Sequence, residues 1–88
     1  MNPEIKARWL RDLRSGEFKQ GLNMLRNEID NEYCCLGVLC KSADVRWSYY
    51  ILKDEVGVSD KVQSTLMALN DEEKKSFTEI ADWIEENL

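Results

Sequence analysis

Ile5, Trp9 and Leu13 recur at every fourth position, Leu10 widens the stripe, and Lys6, Arg8, Arg11 and Arg14 take the other sides. That period predicts an amphipathic helix over about residues 3–15. Asn2-Pro3-Glu4 supplies its entry: an N-cap amide, a proline where a missing N–H costs nothing, and a carboxylate at the positive helix end. Ser15-Gly16 supplies its stop, because glycine accepts the left-handed conformation that follows a helix.

Residues 18–21 make a short connection, and Leu22, Met24 and Leu25 begin a helical turn or a strand that the polar residues 27–31 interrupt. Residues 33–40 (Tyr-Cys-Cys-Leu-Gly-Val-Leu-Cys) are apolar on every side and therefore buried; continuation through Lys41, Ser42 and Ala43 favours a buried helix. Gly37 costs such a helix about 1 kcal/mol relative to alanine, which points to close approach of another element, with the first helix as the expected neighbour. In residues 45–52, Val45, Trp47, Tyr49 and Ile51 alternate with Arg46, Ser48, Tyr50 and Leu52, which predicts a strand. Lys53-Asp54-Glu55 and Gly57 then turn the chain, and Val56 and Val58 can pair to complete a small hairpin.

Ser59-Asp60 opens another helix, with Val62, Leu66 and Leu69 on one face and Asn70 at its end. Ser76-Phe77-Thr78-Glu79 is a capping box, in which the hydroxyl and the carboxylate satisfy orphan N–H groups reciprocally. The helix it starts carries Phe77, Ile80, Ala81, Ile84 and Leu88 on one side and Glu79, Asp82, Glu85 and Glu86 on the other. Acidic residues near its C-terminus oppose the macrodipole, which predicts fraying or a basic partner. The expected fold is one α+β domain over residues 1–88, mostly helical, with about four short helices, a small β-hairpin or strand, and residues 34–40 at the centre of the core.

Length and composition narrow the function. With 88 residues, 43% hydrophobic and 33% charged, the chain forms a single small domain that buries only about 60 to 65% of its unfolded surface. It has no histidine, which removes the commonest general base and the commonest neutral metal ligand. Cys34, Cys35 and Cys40 lie within seven residues but would not point the same way on a helix, so they are read as small core hydrophobes and not as metal ligands. No export signal precedes them and no run reaches the ~20 apolar residues of a membrane span, which predicts a soluble protein in a reducing cytoplasm. The net charge is −5, with eight basic and seven acidic residues up to position 46 and four basic and ten acidic beyond it. That balance opposes direct nucleic-acid binding, which needs phosphate neutralisation, and gives the C-terminal half an acidic field.

Three blocks together resemble a family of small tailed-phage proteins. They are Asn-Pro-Glu-Ile-Lys with Trp9 and Leu-Arg-Ser-Gly-Glu-Phe-Lys-Gln-Gly (13–21), Cys-Cys-Leu-Gly-Val-Leu-Cys (34–40), and Leu-Asn-Asp (69–71) leading to Ser-Phe-Thr-Glu-Ile-Ala-Asp-Trp-Ile-Glu (76–85). The chain departs from that family at residues 44–68, and at Lys41, where members carry an acidic residue. The resemblance implies a bacteriophage origin and a place in the host bacterial cytoplasm, and it carries no reaction or cofactor with it.

Two surfaces are candidates for binding, and no residue is a candidate for catalysis because no imidazole can activate a nucleophile. The first is an acidic face of Glu72, Glu73, Glu79, Asp82, Glu85 and Glu86, suited to a basic groove on a host protein, either a defence effector or a nucleic-acid enzyme. The second is a nucleotide site that collects Arg11, Arg14, Lys19 and Gln20, in which the Arg and Lys side chains hold phosphates, Trp47 and Tyr49 or Tyr50 stack a base, and Asn70 and Asp71 take hydroxyls or base edges. A chain this short would complete such a pocket between subunits of a homo-oligomer. The leading expectation is therefore a non-enzymatic phage accessory protein that counters host defence by binding and inhibiting a host protein. The alternative is an oligomeric sponge for a nucleotide-derived immune signal.

Overall fold

Asn2 caps the first helix as its sequence predicts: its Oδ1 accepts the N–H groups of Glu4 and Ile5 at 2.7 and 3.2 Å. A computed structural model describes all residues, Met1–Leu88. Helix α1 (Pro3–Arg14) is followed by three two-residue strands, β1 (Lys19–Gln20), β2 (Arg26–Asn27) and β3 (Glu32–Tyr33). Helices α2 (Cys35–Ala43), α3 (Tyr49–Asp54) and α4 (Asp60–Met67) come next. Then α4 widens into a π-helical turn (Ala68–Glu72), and α5 (Phe77–Asn87) closes the chain. The architecture is a mostly helical α+β domain.

Helix α2 is the centre of the core, with Cys35, Leu36, Val38, Leu39 and Cys40 fully buried. Around it close Trp9 and Leu13 of α1, Leu52 of α3, Leu66 of α4, and Ile80, Ala81 and Ile84 of α5. The Trp9 indole N–H donates to the Cys35 carbonyl at 2.9 Å, so the largest core side chain has its one polar atom satisfied. Ser42 Oγ adds a second link between α1 and α2, 2.7 Å from Asp12 Oδ2. The capping box at Ser76 forms in full: Glu79 N–H donates to Ser76 Oγ at 3.2 Å and Ser76 N–H to Glu79 Oε1 at 3.0 Å.

Three expectations are corrected. Residues 45–52 are not a strand: a loop leads to Ser48, whose hydroxyl accepts the Ile51 N–H at 3.3 Å and starts α3. The alternation there has no partner strand to satisfy its backbone, and helical pairing supplies the bonds locally. Nor do Val56 and Val58 pair as a hairpin arm. They are buried in the wrapping turn after α3, where their N–H groups donate to the carbonyls of Ile51 and Leu52. The hairpin lies instead at β2–β3, with Arg26 opposite Tyr33 and Asn27 opposite Glu32, and β1 joins β3 in parallel to give the order β1-β3-β2. The third correction concerns Gly37. A Cβ at that position would overlap the backbone carbonyl oxygen of Leu25 and come within 2.7 Å of its carbon, so the close neighbour is the chain entering β2 and not α1.

Candidate functional site

Asn70 lies wholly buried in the π-helical turn, and its amide is fully used. Its Oδ1 accepts from Gln20 Nε2 at 2.9 Å and from the Cys35 N–H at 3.3 Å; its Nδ2 donates to the Gly21 carbonyl at 2.9 Å and to Asp71 Oδ1 at 2.7 Å. Gln20 Nε2 also donates to the Lys75 carbonyl at 2.8 Å, and Asp71 Oδ1 accepts the Asn23 N–H at 3.0 Å. Three members of the expected nucleotide set, Gln20, Asn70 and Asp71, are thus brought together. The hydrogen bonds they make join β1, α2 and the π-helical turn and position the segment leading into β2.

That segment borders the largest concavity of the molecule. Asn23, Met24, Leu25, Arg26, Asn27, Glu28 and Ile29 line a groove of about 640 Å³ together with Trp47 and Tyr49, a size that suits a ligand or a docked side chain. Hydrophobic side chains that water would ordinarily drive inward collect here: Ile29 is 94% exposed, Met24 50%, Trp47 39% and Tyr49 41%. Leu22 and Tyr50, adjacent in sequence to the lining, are exposed as well, Tyr50 to 72%. The Arg26 guanidinium packs between two rings, 5.7 Å from the Tyr33 centroid and 5.6 Å from that of Trp47. Phe18 meets Tyr33 edge to face at 5.2 Å and Tyr33 meets Trp47 at 5.8 Å, so the aromatic cluster holds Trp47 at the groove wall. Arg26 Nε is buried without a hydrogen-bond partner.

The tip of the β2–β3 hairpin, which carries Ile29, is fixed by its own chemistry. Asn27 Oδ1 accepts the N–H groups of Ile29 and Asp30 at 3.0 and 3.3 Å, and Asn31 takes a left-handed φ of 53°. Ile29 therefore projects from an ordered turn.

The remaining expected binding residues are dispersed. Arg14 forms a fork to Asp82 and Glu85 of α5 at 2.8 and 3.1 Å, and those two hydrogen bonds raise its pKa above the ordinary guanidinium value. Arg11 pairs with Asp12 and Lys19 with Glu32, and none of these three cations borders the groove. Of the six acidic-face residues, Glu79 serves the cap, where the Ser76 N–H holds its carboxyl below the usual range. Asp82 and Glu85 serve Arg14, which offsets the macrodipole cost that the sequence predicts for α5. Glu72, Glu73 and Glu86 stay exposed without an ion pair.

Burial pushes the Cys34 thiol up to about 11, raises Cys35 well above its ordinary value and raises Cys40. All three are free thiols and stay protonated at neutral pH. No three Cys, Asp or Glu side chains converge as a metal would require, and no helix is long and apolar enough to cross a membrane.

Sequence reasoning selected Trp47 and Tyr49 but missed Met24, Arg26 and Ile29. The available signal was Ile29 itself, a β-branched residue isolated among Asn27, Glu28, Asp30 and Asn31.

Over residues 1–55 the chain matches DUF8296, a domain of unknown function, and because the match covers more than half its length the chain belongs to that family. The matched span contains every groove residue, all three strands and helices α1 to α3, whereas the acidic residues 72–86 fall outside it. No curated protein and no solved structure matches the chain.

Proposed function

We propose that this DUF8296 protein is a non-enzymatic binding protein that acts by occupying a partner protein, and that the groove between residues 23–29 and Trp47 is its working surface. The observation that carries this reading is the concentration of exposed Met24, Ile29, Trp47 and Tyr49 around one concavity. Small domains rarely leave large apolar side chains contiguous and wet without a partner for them, and aromatic side chains dominate the energetics of protein interfaces. Protonated, buried thiols and the lack of histidine favour binding over catalysis. The resemblance to tailed-phage proteins makes a bacterial host protein the partner and its inhibition the outcome, in the host cytoplasm.

A nucleotide sponge shares Trp47 and Tyr49 with this reading. Its phosphate ligands would be Arg11, Arg14 and Lys19, which are paired with carboxylates away from the groove, so a protein partner is favoured.

The test is affinity capture from bacterial lysate with three baits: the parent protein, Ile29→Lys and Glu86→Lys. A stoichiometric host protein retained by the parent and by Glu86→Lys but lost with Ile29→Lys supports the groove. A partner lost only with Glu86→Lys would move the contact to the acidic face. A bait that returns a bound nucleotide and no protein would reject protein docking.

A further inference from the structure

The backbone beside the groove specifies the conformation of what binds there. Tyr33 accepts the Gly21 N–H at 2.8 Å, so its carbonyl faces the β1 side of the sheet. In a strand the N–H and C=O of one residue point the same way, and successive residues alternate. The backbone of Tyr33 is therefore committed to β1 and that of Glu32 to β2. Arg26, which stands opposite Tyr33, consequently turns its own N–H and C=O away from β3, toward the free edge of the sheet. None of the turn, loop or cap backbone hydrogen bonds uses either group.

The groove lies on that side: seven consecutive residues from Asn23 to Ile29 line it, and no residue of β1 or β3 does. The usual protections of an edge strand are a charged side chain kept in solvent or a covering element. Here the Arg26 side chain is drawn onto Tyr33 and Trp47 and is not free to stand in solvent beside the edge. Glu28 in the lining and the nearby Asp30 have no ion-pair partner, while the one lining cation, Arg26, is engaged with the two rings.

Resting on the docking reading above, we infer that the groove takes an extended peptide segment of the partner protein, added as a fourth strand along β2. One residue of that segment exchanges hydrogen bonds with the Arg26 N–H and C=O, its apolar side chain sits between Met24, Ile29, Trp47 and Tyr49, and a flanking Lys or Arg meets Glu28. Strand addition of this kind draws affinity from main-chain bonds and specificity from alternate side chains.

The experiment uses a displayed library of random twelve-residue peptides selected on the full chain, followed by single amide-to-ester replacements along the best binder. Strand addition predicts enriched peptides with large apolar residues at alternate positions and a basic flank, all lost on Ile29→Lys. It further predicts a loss of about tenfold, the size of one net hydrogen bond in a partly dry site, when the amide facing Arg26 becomes an ester, a smaller loss at the residue after it, whose ester weakens the carbonyl that accepts the Arg26 N–H, and little change at the residue before it. Binders that need Ile29 but tolerate every ester, or that space their anchors at i and i+4, would overturn strand addition while leaving the docking reading intact. Failure to enrich any Ile29-dependent peptide would also overturn it, with the docking reading then judged by the lysate capture alone. Concentration-dependent dimerisation abolished by Ile29→Lys would make a second copy the occupant and overturn the partner peptide.

Discussion

The guanidinium of Arg26 lies over the indole of Trp47, 5.6 Å from its centroid. This contact joins β2 to the loop before α3, and both residues line the groove. Trp47→Ala removes it together with the Tyr33 packing and should cost about 1 kcal/mol, read as a fall in Tm of roughly 4 to 8 °C. Ile29→Lys, at a side chain 94% exposed, should leave Tm within about 2 °C of the parent while abolishing partner binding. A large stability loss in Ile29→Lys would show that the residue packs and does not dock.

Gly37 and Leu25 supply a second prediction. Any Cβ at Gly37 meets backbone, which cannot swing aside as a side chain can. Gly37→Ala should therefore cost about 3 kcal/mol or more in urea denaturation, beyond ordinary overpacking. The control is Gly16→Ala, where φ is +77° but nothing lies within 4 Å; there only the left-handed conformation is penalised, by about 1 kcal/mol. Equal effects at the two sites would contradict the close approach of α2 to the β2 entry.

Asn70→Ala strips partners from Gln20, the Cys35 N–H, the Gly21 carbonyl and Asp71 at once. Leaving buried polar groups unpaired should lower stability by about 3 kcal/mol and Tm by at least about 10 °C. Asn70→Asp should fare no better, because a second carboxylate would face Asp71 and lose the two donations that the amide makes. Calorimetry on both variants checks this, and a near-neutral Asn70→Ala would reduce the network to a surface feature.

The thiols predict a pH dependence. Cys34 titrates at about 11 in the folded protein against an ordinary value of 9.0, so the native state binds its proton more tightly than the unfolded chain does. The stability this contributes is complete below about pH 9 and is lost as pH rises toward 11. Urea midpoints at pH 8 and pH 10 should show that decline, and it should be shallower in Cys34→Ala. Iodoacetamide at neutral pH should label none of the three cysteines until denaturant is added. Rapid native labelling of Cys34 would reverse its assignment as a core group.

The parts of the fold that were legible in the sequence are those set by short-range chemistry. Asn2, Ser59 and Ser76 each announce a helix because a side-chain oxygen satisfies an N–H two or three residues ahead, a geometry that needs no tertiary partner. Ser48 starts α3 by the same chemistry, but the alternation of Val45, Trp47, Tyr49 and Ile51 reads as a strand, and only the surrounding chain decides against it. The two-residue strands were illegible, since two residues have no period. Lys19, Arg26 and Glu32 carry no β-propensity, and their pairing is imposed by the Gln20–Asn70 network and by Gly37 admitting Leu25.

The candidate site was legible only in its aromatic part. Trp47 and Tyr49 could be chosen from residue type, whereas Met24 and Ile29 become neighbours of Trp47 only when the hairpin folds against the α2–α3 loop. The acidic face illustrates the opposite failure. Its composition is visible in the sequence, but Arg14 is 68 residues from Asp82 along the chain, and that pairing removes part of the charge from use.

Binding at the groove can be read directly by amide hydrogen exchange of the protein alone and in complex with its captured partner. Exchange should slow across residues 22–29 and 47–50, with the Arg26 N–H among the most protected, and stay unchanged along α5. Protection confined to the acidic side of α5, with residues 22–29 exchanging as in the free protein, would contradict it.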